Sequence, residues 1–440
     1  MTSQTAPRAS EKPTRSRFTV MGLLFFTVVI NYLDRSNLSI AAPAMRAELG
    51  FDTAQMGLIF SAFGWTYALC QIPGGWLVDR VPPRRLYATL IVLWSGATML
   101  LGFTYSVFWL MIVRMLIGAM EAPSYPINNR VVTTWFPERE RASAIGFYTS
   151  GQFVGIAFLT PVLVWIQSKA GWHMVFVATG GIGLVWAAVW YAVYRQPRDF
   201  AGANAAEIEL IRSGGGLVDL GGVASAGRTF SMADLKHVLS SRKLWGVYFG
   251  QFALTSTLWF FLTWFPTYLV QARGMDFVKA GFLASLPFVA AFVGVLCAGL
   301  LSDFMVRRGA ALGVARKVPI VTGLLLSTSI IGANFVDRPA LIVAFLTLAF
   351  FGNGLASITW SLVSAIAPER LLGLTGGVFN FVGNLSGIVV PIVIGYLARD
   401  YGFAAGLTYI AVLALLGALS YVFVVGEVTR LPDTGTGLAS

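Results

Sequence analysis

The sequence has few of the residues that soluble proteins and enzymes depend on. Only 12% of its 440 residues are charged, against roughly 25% in soluble domains. Its two histidines, His173 and His237, form no metal-ligand pattern, and its two cysteines, Cys70 and Cys297, lie far apart in apolar runs. It contains no Walker sequence for ATP. These deficits argue against a soluble domain, a metalloenzyme and an ATP-driven pump.

Long apolar runs dominate the sequence instead, and 56% of the residues are hydrophobic. A helix needs about 20 mostly apolar residues to cross a bilayer core roughly 30 Å thick. Twelve stretches, which we number spans 1 to 12, reach that length. They are approximately 18–40, 53–78, 86–104, 107–134, 142–167, 172–194, 245–271, 277–306, 317–336, 339–366, 373–398 and 404–425. The predicted fold class is an all-α membrane protein with twelve transmembrane helices.

Lysine and arginine are distributed unevenly between the loops. Of the 31, 22 fall on the side that holds both termini and the longest loop, six fall on the opposite side, and three lie within spans. Cytoplasmic loops of membrane proteins carry such an excess. The net charge of +11 therefore indicates membrane orientation rather than nucleic-acid binding, with both termini in the cytoplasm.

The two halves of the chain repeat each other. Gly75-Trp-Leu-Val-Asp79-Arg80 closes span 2, and Gly299-Leu-Leu-Ser-Asp303 closes span 8 at the corresponding place in the second half. Pro137-Glu-Arg139 leads into span 5, and Pro368-Glu-Arg370 leads into span 11 in the same way. Duplication of a six-span unit is typical of transporters whose site lies between two bundles at mid-membrane. We therefore predict two pseudo-symmetric six-helix bundles.

The predicted organisation has five parts. They are a cytoplasmic tail at 1–17, a bundle at 18–194, a cytoplasmic linker at 195–244, a second bundle at 245–426 and a tail at 427–440. The linker should form short surface helices near 205–212 and 235–239, the latter preceded by the capping-box-like Ser231-Met-Ala-Asp234. Gly214-Gly-Gly216 lacks the preceding strand and following lysine of a phosphate-binding loop, so we interpret it as linker.

Four charged residues interrupt the apolar runs of the first half. Asp34 and Arg35 lie towards the end of span 1, and Arg114 and Glu121 lie in span 4. Seven residues are close to two helical turns, so Arg114 and Glu121 share a helix face. Charges at membrane depth are costly and mark transport pathways. Two acids and two arginines there indicate a proton-coupled carrier of anions.

Arg35 is the candidate cation for a substrate carboxylate, because a guanidinium holds both oxygens in its planar fork. A carboxyl that alternates between an arginine and a proton would supply the coupling. Asp34 and Glu121 are the available acids. Two structural alternatives stay open: Asp34 and Arg35 reach the interface from the end of span 1, or the charges form static salt bridges.

Several segments together resemble the major facilitator superfamily, and within it the anion:cation symporter branch. The matching segments include Asn31-Tyr-Leu-Asp-Arg35, Cys70-Gln-Ile-Pro-Gly-Gly-Trp76, Glu121-Ala-Pro123, Asn128-Asn-Arg130, Trp135-Phe-Pro-Glu138, Gly146-Phe-Tyr-Thr-Ser-Gly-Gln152, Phe350-Phe-Gly-Asn353, Ser357-Ile-Thr-Trp360 and Thr375-Gly-Gly-Val-Phe-Asn380. The resemblance implies a symporter of the bacterial inner membrane that imports a sugar acid, D-galactonate or a similar aldonate. It also implies a monomer that uses protons as coupling ion and no cofactor.

The resemblance also implies roles for individual residues. Asp34 would pair with Arg114, and Glu121 with Arg35, so that Asp34, Glu121 and Arg114 couple protons. The implied substrate-binding residues are Tyr32, Arg35, Tyr67, Gln152, Ser357, Thr359, Trp360 and Asn380. The implied gating residues, at the cytoplasmic span ends, are Asp79, Arg80, Arg84 and Arg141. Each polar residue has an alternative role in helix–helix hydrogen bonding.

The sequence leaves three competing functions open. A uniporter or exchanger of a related organic anion, such as glucarate or a hexuronate, would keep its activity when Asp34 or Glu121 is neutralised. A carboxylate receptor would need an appended signalling domain, and the longest loop has only about 50 residues. A membrane enzyme would need a cluster of reactive side chains, which the sequence does not offer.

Overall fold

A computed structural model of the protein describes residues 12–218, 232–368 and 371–432, without the side chains of Ile72, Asp79 and Ala142. Within these ranges the chain forms helices joined by short turns. The predicted cap at Ser231 lies outside the described residues, and so does the pair Glu369 and Arg370.

The first six spans follow the predicted order. Span 1 is Ser16–Leu49, span 2 combines Thr53–Leu69 and Gln71–Arg80, span 3 is Pro83–Leu101, span 4 combines Val107–Glu121 and Ser124–Trp135, and spans 5 and 6 form the run Glu138–Val193. Gly171 divides that run, because its φ of 79° lies in the left-handed region that glycine adopts without strain.

The linker and the last six spans complete the chain. The linker contains helices Ala205–Ser213 and Met232–Ser240. Span 7 combines Arg242–Thr263, Phe265–Thr267 and Tyr268–Ala272, span 8 is Phe277–Arg307, span 9 combines Leu312–Ser327 and Thr328–Phe335, span 10 combines Pro339–Leu355, Ala356–Thr359 and Trp360–Ile366, span 11 is Leu372–Asp400, and span 12 combines Phe403–Leu419 and Ser420–Val424.

Eight helical segments of the described chain are individually long and apolar enough to cross a membrane. One of them, Glu138–Val193, has 56 residues and accommodates two crossings around Gly171. Spans 2, 3 and 7 complete the set of twelve. The described structure is thus the predicted all-α membrane fold.

Paired glycines show that the two halves repeat in backbone geometry. Gly50 and Gly274, at the turns after spans 1 and 7, have φ values of 71° and 59°. Gly171 and Gly402, at the turns after spans 5 and 11, have φ values of 79° and 80°. Gly50 and Gly274 are separated by as many residues as the motifs that close spans 2 and 8. Gly171 and Gly402 are separated by as many residues as the motifs that lead into spans 5 and 11. Each bundle is therefore one copy of the same six-span unit.

The first and last described segments of the chain lie on the side of the membrane fold that carries the linker. The backbone N–H of Thr14 donates to Asn204 Oδ1 at 3.2 Å, at the start of the first linker helix. His237, in the second linker helix, lies 3.2 Å from the carbonyl oxygen of Pro432. We call this face the linker side and the other face the far side.

The two bundles pack against each other towards the far side. A Cβ added to Gly57 of span 2 would lie 2.5 Å from the carbonyl oxygen of Pro391 in span 11, and one on Gly64 would lie 3.1 Å from that of Gly387. Because glycine has no side chain, the helix axes approach closely along this seam. Spans 1, 5, 7 and 8 enclose a void of only about 10 Å³ nearby, far below the size of a ligand site.

The linker-side halves of the inner helices make their main contacts within their own bundles. Gln71–Arg80 packs on Ser124–Trp135, and Trp360–Ile366 packs on spans 7, 9 and 11. The bundles therefore meet on the far side and separate towards the linker side. A site between them would therefore be reached from the linker side.

Candidate functional site

Asp34 and Arg35 lie in the middle of span 1 and not at its end. The predicted end near residue 40 is wrong, because the helix continues to Leu49 and ends at the left-handed Gly50. The polar residues that interrupt the apolar run face the interior of the protein, where Asp34 is 1% and Arg35 is 7% exposed. The alternative in which this pair reaches the membrane interface is therefore wrong for this structure.

Arg35 forms a buried ion pair with Glu121. Its Nε lies 3.1 Å from Glu121 Oε2, and the glutamate is fully buried. The guanidinium carbon also lies 4.8 Å from the ring centres of Tyr32 and Tyr67 and 5.0 Å from that of Phe63. Aromatic faces stabilise a cation by roughly 0.5–2 kcal/mol each when it is withdrawn from water. Three rings and one carboxylate thus fix the arginine.

Gly118 and a break in span 4 place Glu121 at this pair. A Cβ on Gly118 would lie 2.2 Å from the carbonyl oxygen of Phe63, so glycine allows spans 4 and 2 to approach. This approach brings Arg114 to 5.2 Å from the ring of Phe63. The helix Val107–Glu121 ends at Glu121, and Pro123 precedes the next helix. The glutamate therefore occupies a helix terminus inside the bundle.

The implied pair between Asp34 and Arg114 is absent from the described residues. Both carboxylate oxygens of Asp34 and the Nε and Nη1 of Arg114 are buried without a hydrogen-bond partner there. Arg35 Nη2 and Glu121 Oε1 are also buried without a hydrogen-bond partner among the described residues. Buried charged groups without partners are costly, so these side chains are prepared to take a proton, a ligand or each other.

Two of the first-bundle residues of the implied substrate site contact Arg35, and the third lies on span 5. Tyr32 and Tyr67 contact Arg35 through their rings. Gln152 is half-buried on span 5 and makes no hydrogen bond with other described side chains. The glycines that flank it, Gly151 and Gly155, pack against the backbone of span 1. Gln152 is therefore held near span 1 with its amide free for a ligand.

The second-bundle residues of the implied site lie on spans 10 and 11. Thr359 is buried and donates its hydroxyl to Gln251 Oε1 at 2.8 Å, so that hydroxyl is already engaged. Ser357 is half-buried and Asn380 is exposed. Trp360 is 49% exposed and packs edge-to-face on Phe379 at 4.8 Å. Three of the four side chains thus remain accessible.

The three implied gating arginines are bound by the first bundle and by the linker. Arg84 donates to the carbonyl oxygen of Tyr191 at 2.9 Å, and Arg80 stacks on Trp76 at 3.7 Å. Arg141 donates to the linker carbonyl of Gly215 at 2.6 Å. The side chain of Asp79 lies outside the described residues. None of the three arginines contacts another within the described structure.

Some polar residues of the interior were missed by the sequence reasoning. Arg130 donates to the carbonyl oxygens of Val78, by a short contact, and of Val81 at 3.3 Å, joining span 4 to span 2. Gln251 holds Thr359, and Asn353 donates to the carbonyl oxygen of Leu254 at 2.7 Å. The signal that could have found them is a polar side chain within an apolar span.

The chain is similar to known proteins along most of its length. The family pattern described as Major Facilitator Superfamily matches residues 24–391. A D-galactonate transporter from Escherichia coli O6:H1 is 55% identical over 427 residues, which cover 97% of this chain and 99% of the relative. A probable galactarate/D-glucarate transporter from Escherichia coli K12 is 41% identical over 436 residues, covering 97% of each chain.

The fold matches solved transporter structures as well. A bacterial homolog of the human lysosomal transporter Spinster, in an inward-facing and unoccupied conformation, superposes with a TM-score of 0.73 at 18% identity, covering 92% of this chain and 96% of that one. The relatives are transporters and not enzymes, as the sequence predicted. The twelve-span duplicated architecture, the family match and the relatives agree: the chain belongs to the Major Facilitator Superfamily.

Proposed function

We propose that the protein is a proton-coupled symporter that imports a sugar acid, D-galactonate or a similar aldonate, by alternating access. The names of the relatives support the substrate class. The buried Arg35–Glu121 pair, at the seam where two bundles separate, carries the proposal. A cation there can hold a carboxylate, and its partner acid can exchange that cation for a proton.

The geometry of Arg35 suggests how binding of the substrate carboxylate is linked to protonation of Glu121. Glu121 binds only the Nε of the guanidinium, while Nη2 is buried without a partner among the described residues. A substrate carboxylate that approaches the free edge of the fork would compete with Glu121 for the same positive charge. When Glu121 takes a proton, that competition ends and the substrate carboxylate replaces the lost negative charge.

Asp34 and Arg114 supply the second acid and cation. The side chain of Asp34 points in a different direction from that of Arg35, because side chains of consecutive helical residues point about 100° apart. Its unpartnered carboxylate and the partly unpartnered Arg114 are both buried in the described part of the first bundle. We propose that Asp34 is the second proton-coupling group and that Arg114 stabilises its charged form in another conformation.

The proposed orientation follows the charge distribution of the loops. The linker side would face the cytoplasm of a bacterial inner membrane, so the present conformation would be open inward. Each chain contains both walls of the site, which supports a working monomer. Protons would be the coupling ion, and no cofactor is proposed.

Uptake of labelled D-galactonate into proteoliposomes tests the function. We expect accumulation above equilibrium only when a proton gradient is directed inward, and equilibration when the gradient is collapsed by a protonophore. Equal uptake with and without the gradient would support the uniporter or exchanger. If the protein takes up glucarate or a hexuronate but no D-galactonate, the proposed substrate is wrong and the proposed transport mechanism is retained.

A further inference from the structure

Gln251 on span 7 lies where three helices of the second bundle converge. Its Oε1 accepts the hydroxyl of Thr359 from span 10. A Cβ on Gly383 of span 11 would lie 2.9 Å from its Cγ and 3.5 Å from its Nε2, so this glycine makes room for the amide. Thr255 reinforces the junction by donating to the carbonyl oxygen of Gly383 at 2.8 Å.

The depth of Gln251 in the membrane matches that of the Arg35 cluster. Gly64 of span 2 packs on Gly387 of span 11, at the seam between the bundles. Tyr67 lies about one helical turn from Gly64 on span 2, and Gly383 lies about one turn from Gly387 on span 11. Both steps lead towards the linker side. Tyr67 contacts Arg35, and Gly383 contacts Gln251. The amide and the arginine therefore occupy opposite walls at similar depth.

The amide of Gln251 is oriented with its donor end free. Because Oε1 accepts from Thr359, the Nε2 end carries the remaining hydrogen-bonding capacity. Gln251 is half-buried, and its Nε2 is not among the buried unpartnered atoms of the described chain. Asn380 lies about one turn from Gly383 on the same face of span 11 and adds a second neutral amide.

The three helices that meet at Gln251, in spans 7, 10 and 11, carry no charged residue in mid-span within the described chain. Arg316 of span 9 reaches span 10, where its guanidinium donates to the carbonyl oxygen of Ser361 at 2.9 Å. The nearest basic residues along span 7, Arg242 and Lys243, begin its helix eight or more residues away, about 12 Å along the axis. Lys243 is also engaged by Thr429 at 2.6 Å. A carboxylate placed beside Gln251 would lose its hydration without gaining a cation, whereas a hydroxyl would gain a hydrogen bond.

We infer that Gln251 determines specificity by hydrogen bonding to the terminal hydroxyl of the substrate. This hydroxyl is at the opposite end of the substrate from the carboxylate that Arg35 binds. This neutral wall selects a monocarboxylate that ends in a hydroxymethyl group over a dicarboxylate of the same length. Thr359 acts on the substrate through Gln251, as a positioning residue. The inference rests on the proposed sugar-acid transport and names the substrate class more narrowly.

Gln251→Lys tests the selectivity directly. We expect the ratio of inhibition constants for galactarate and D-galactonate, measured by competition against labelled D-galactonate, to shift by about tenfold towards galactarate, because the ammonium supplies the missing cation. Gln196→Lys, in the loop after span 6, is the control for general attraction of a dianion and should leave the ratio unchanged. An unchanged ratio in Gln251→Lys overturns the inference.

Gln251→Leu provides a second readout if the lysine variant does not fold. We expect its KM for D-galactonate to rise about fivefold, from the loss of one hydrogen bond, with kcat within twofold. The KM for 6-deoxy-D-galactonate, which lacks the terminal hydroxyl, should stay within twofold. An equal rise for both substrates overturns the inference. Failure of the wild type to transport any sugar acid would instead reject the proposed function.

Discussion

The two bundles share one fold and differ in the chemistry of their interiors. The first buries Asp34, Arg35, Arg114 and Glu121 between its helices. In the described part of the second, the charged residues stand near the ends of the spans, and the interior polar groups are neutral amides and hydroxyls such as Gln251. Duplication of a six-span unit therefore produced one wall suited to charge and one suited to hydroxyl groups. This division matches a substrate with a carboxylate at one end and a polyol chain.

The largest expected effect falls on the charged wall. Arg35→Lys should reduce D-galactonate uptake by about 100-fold, because an ammonium cannot bind Glu121 and a second carboxylate through a planar fork. Initial uptake rates in proteoliposomes measure this effect. Arg399→Lys is the matched control, since Arg399 is exposed and pairs with Asp400 at 2.7 Å. Uptake above a tenth of wild type in Arg35→Lys would contradict the role of the fork.

The seam between the bundles should respond next. A side chain at Gly57 would collide with Pro391, so Gly57→Leu should open the far side and raise labelling of a Ser39→Cys reporter about tenfold, in a cysteine-free background. Ser39 lines the small void there. Gly96→Leu is the control, because a Cβ at Gly96 meets nothing within 4 Å. Equal labelling in both variants would show that the seam does not gate access.

A moderate effect is expected on the neutral wall. Thr359→Val removes the hydroxyl that orients Gln251 and should raise the KM for D-galactonate about fivefold with little change in kcat, because a net hydrogen bond contributes about 1 kcal/mol. Thr257 has a buried hydroxyl without a partner among the described residues, so Thr257→Val should stay within twofold. Similar KM values for the two variants would remove Thr359 from the positioning role.

The smallest effects should come from the cysteines, one in each bundle. Cys70 and Cys297 are both free and partly buried. Cys70→Ala and Cys297→Ala should each change uptake by less than about twofold, because an unpaired cysteine packs as a small apolar side chain. Uptake in reducing and oxidising buffer should agree for the wild type. A several-fold loss in either single variant would assign that cysteine a role which the structure does not show.

Much of the fold could be predicted from the sequence because apolar run length and loop charge act locally. The twelve spans and their order follow from these two signals. The shared face of Arg114 and Glu121 follows from helical periodicity, and the pairing of Glu121 with Arg35 was implied by the family resemblance. The end of span 1 was misplaced, because hydropathy cannot distinguish a helix end from polar residues that face a protein interior.

The remaining features depend on contacts between distant segments. Gln251 and Thr359 are 108 residues apart, and no periodicity links them. The glycines of the linker, which the sequence identifies only as linker, contact the start of span 5. The N–H of Glu138 donates to the carbonyl oxygen of Gly214 at 2.8 Å. The absence of an Asp34–Arg114 pair among the described residues depends on how spans 1 and 4 pack, which residue type and helical periodicity do not specify.

We propose that Glu121 exchanges its arginine for a proton, and Glu121→Gln tests this exchange most directly. The variant and the wild type would be assayed for proton-driven accumulation of D-galactonate and for exchange of internal against external D-galactonate at equal pH. Glu209→Gln serves as the control, because Glu209 is exposed and pairs with Arg212 at 3.1 Å. We predict that Glu121→Gln retains exchange and loses accumulation. Normal accumulation in Glu121→Gln would contradict the account.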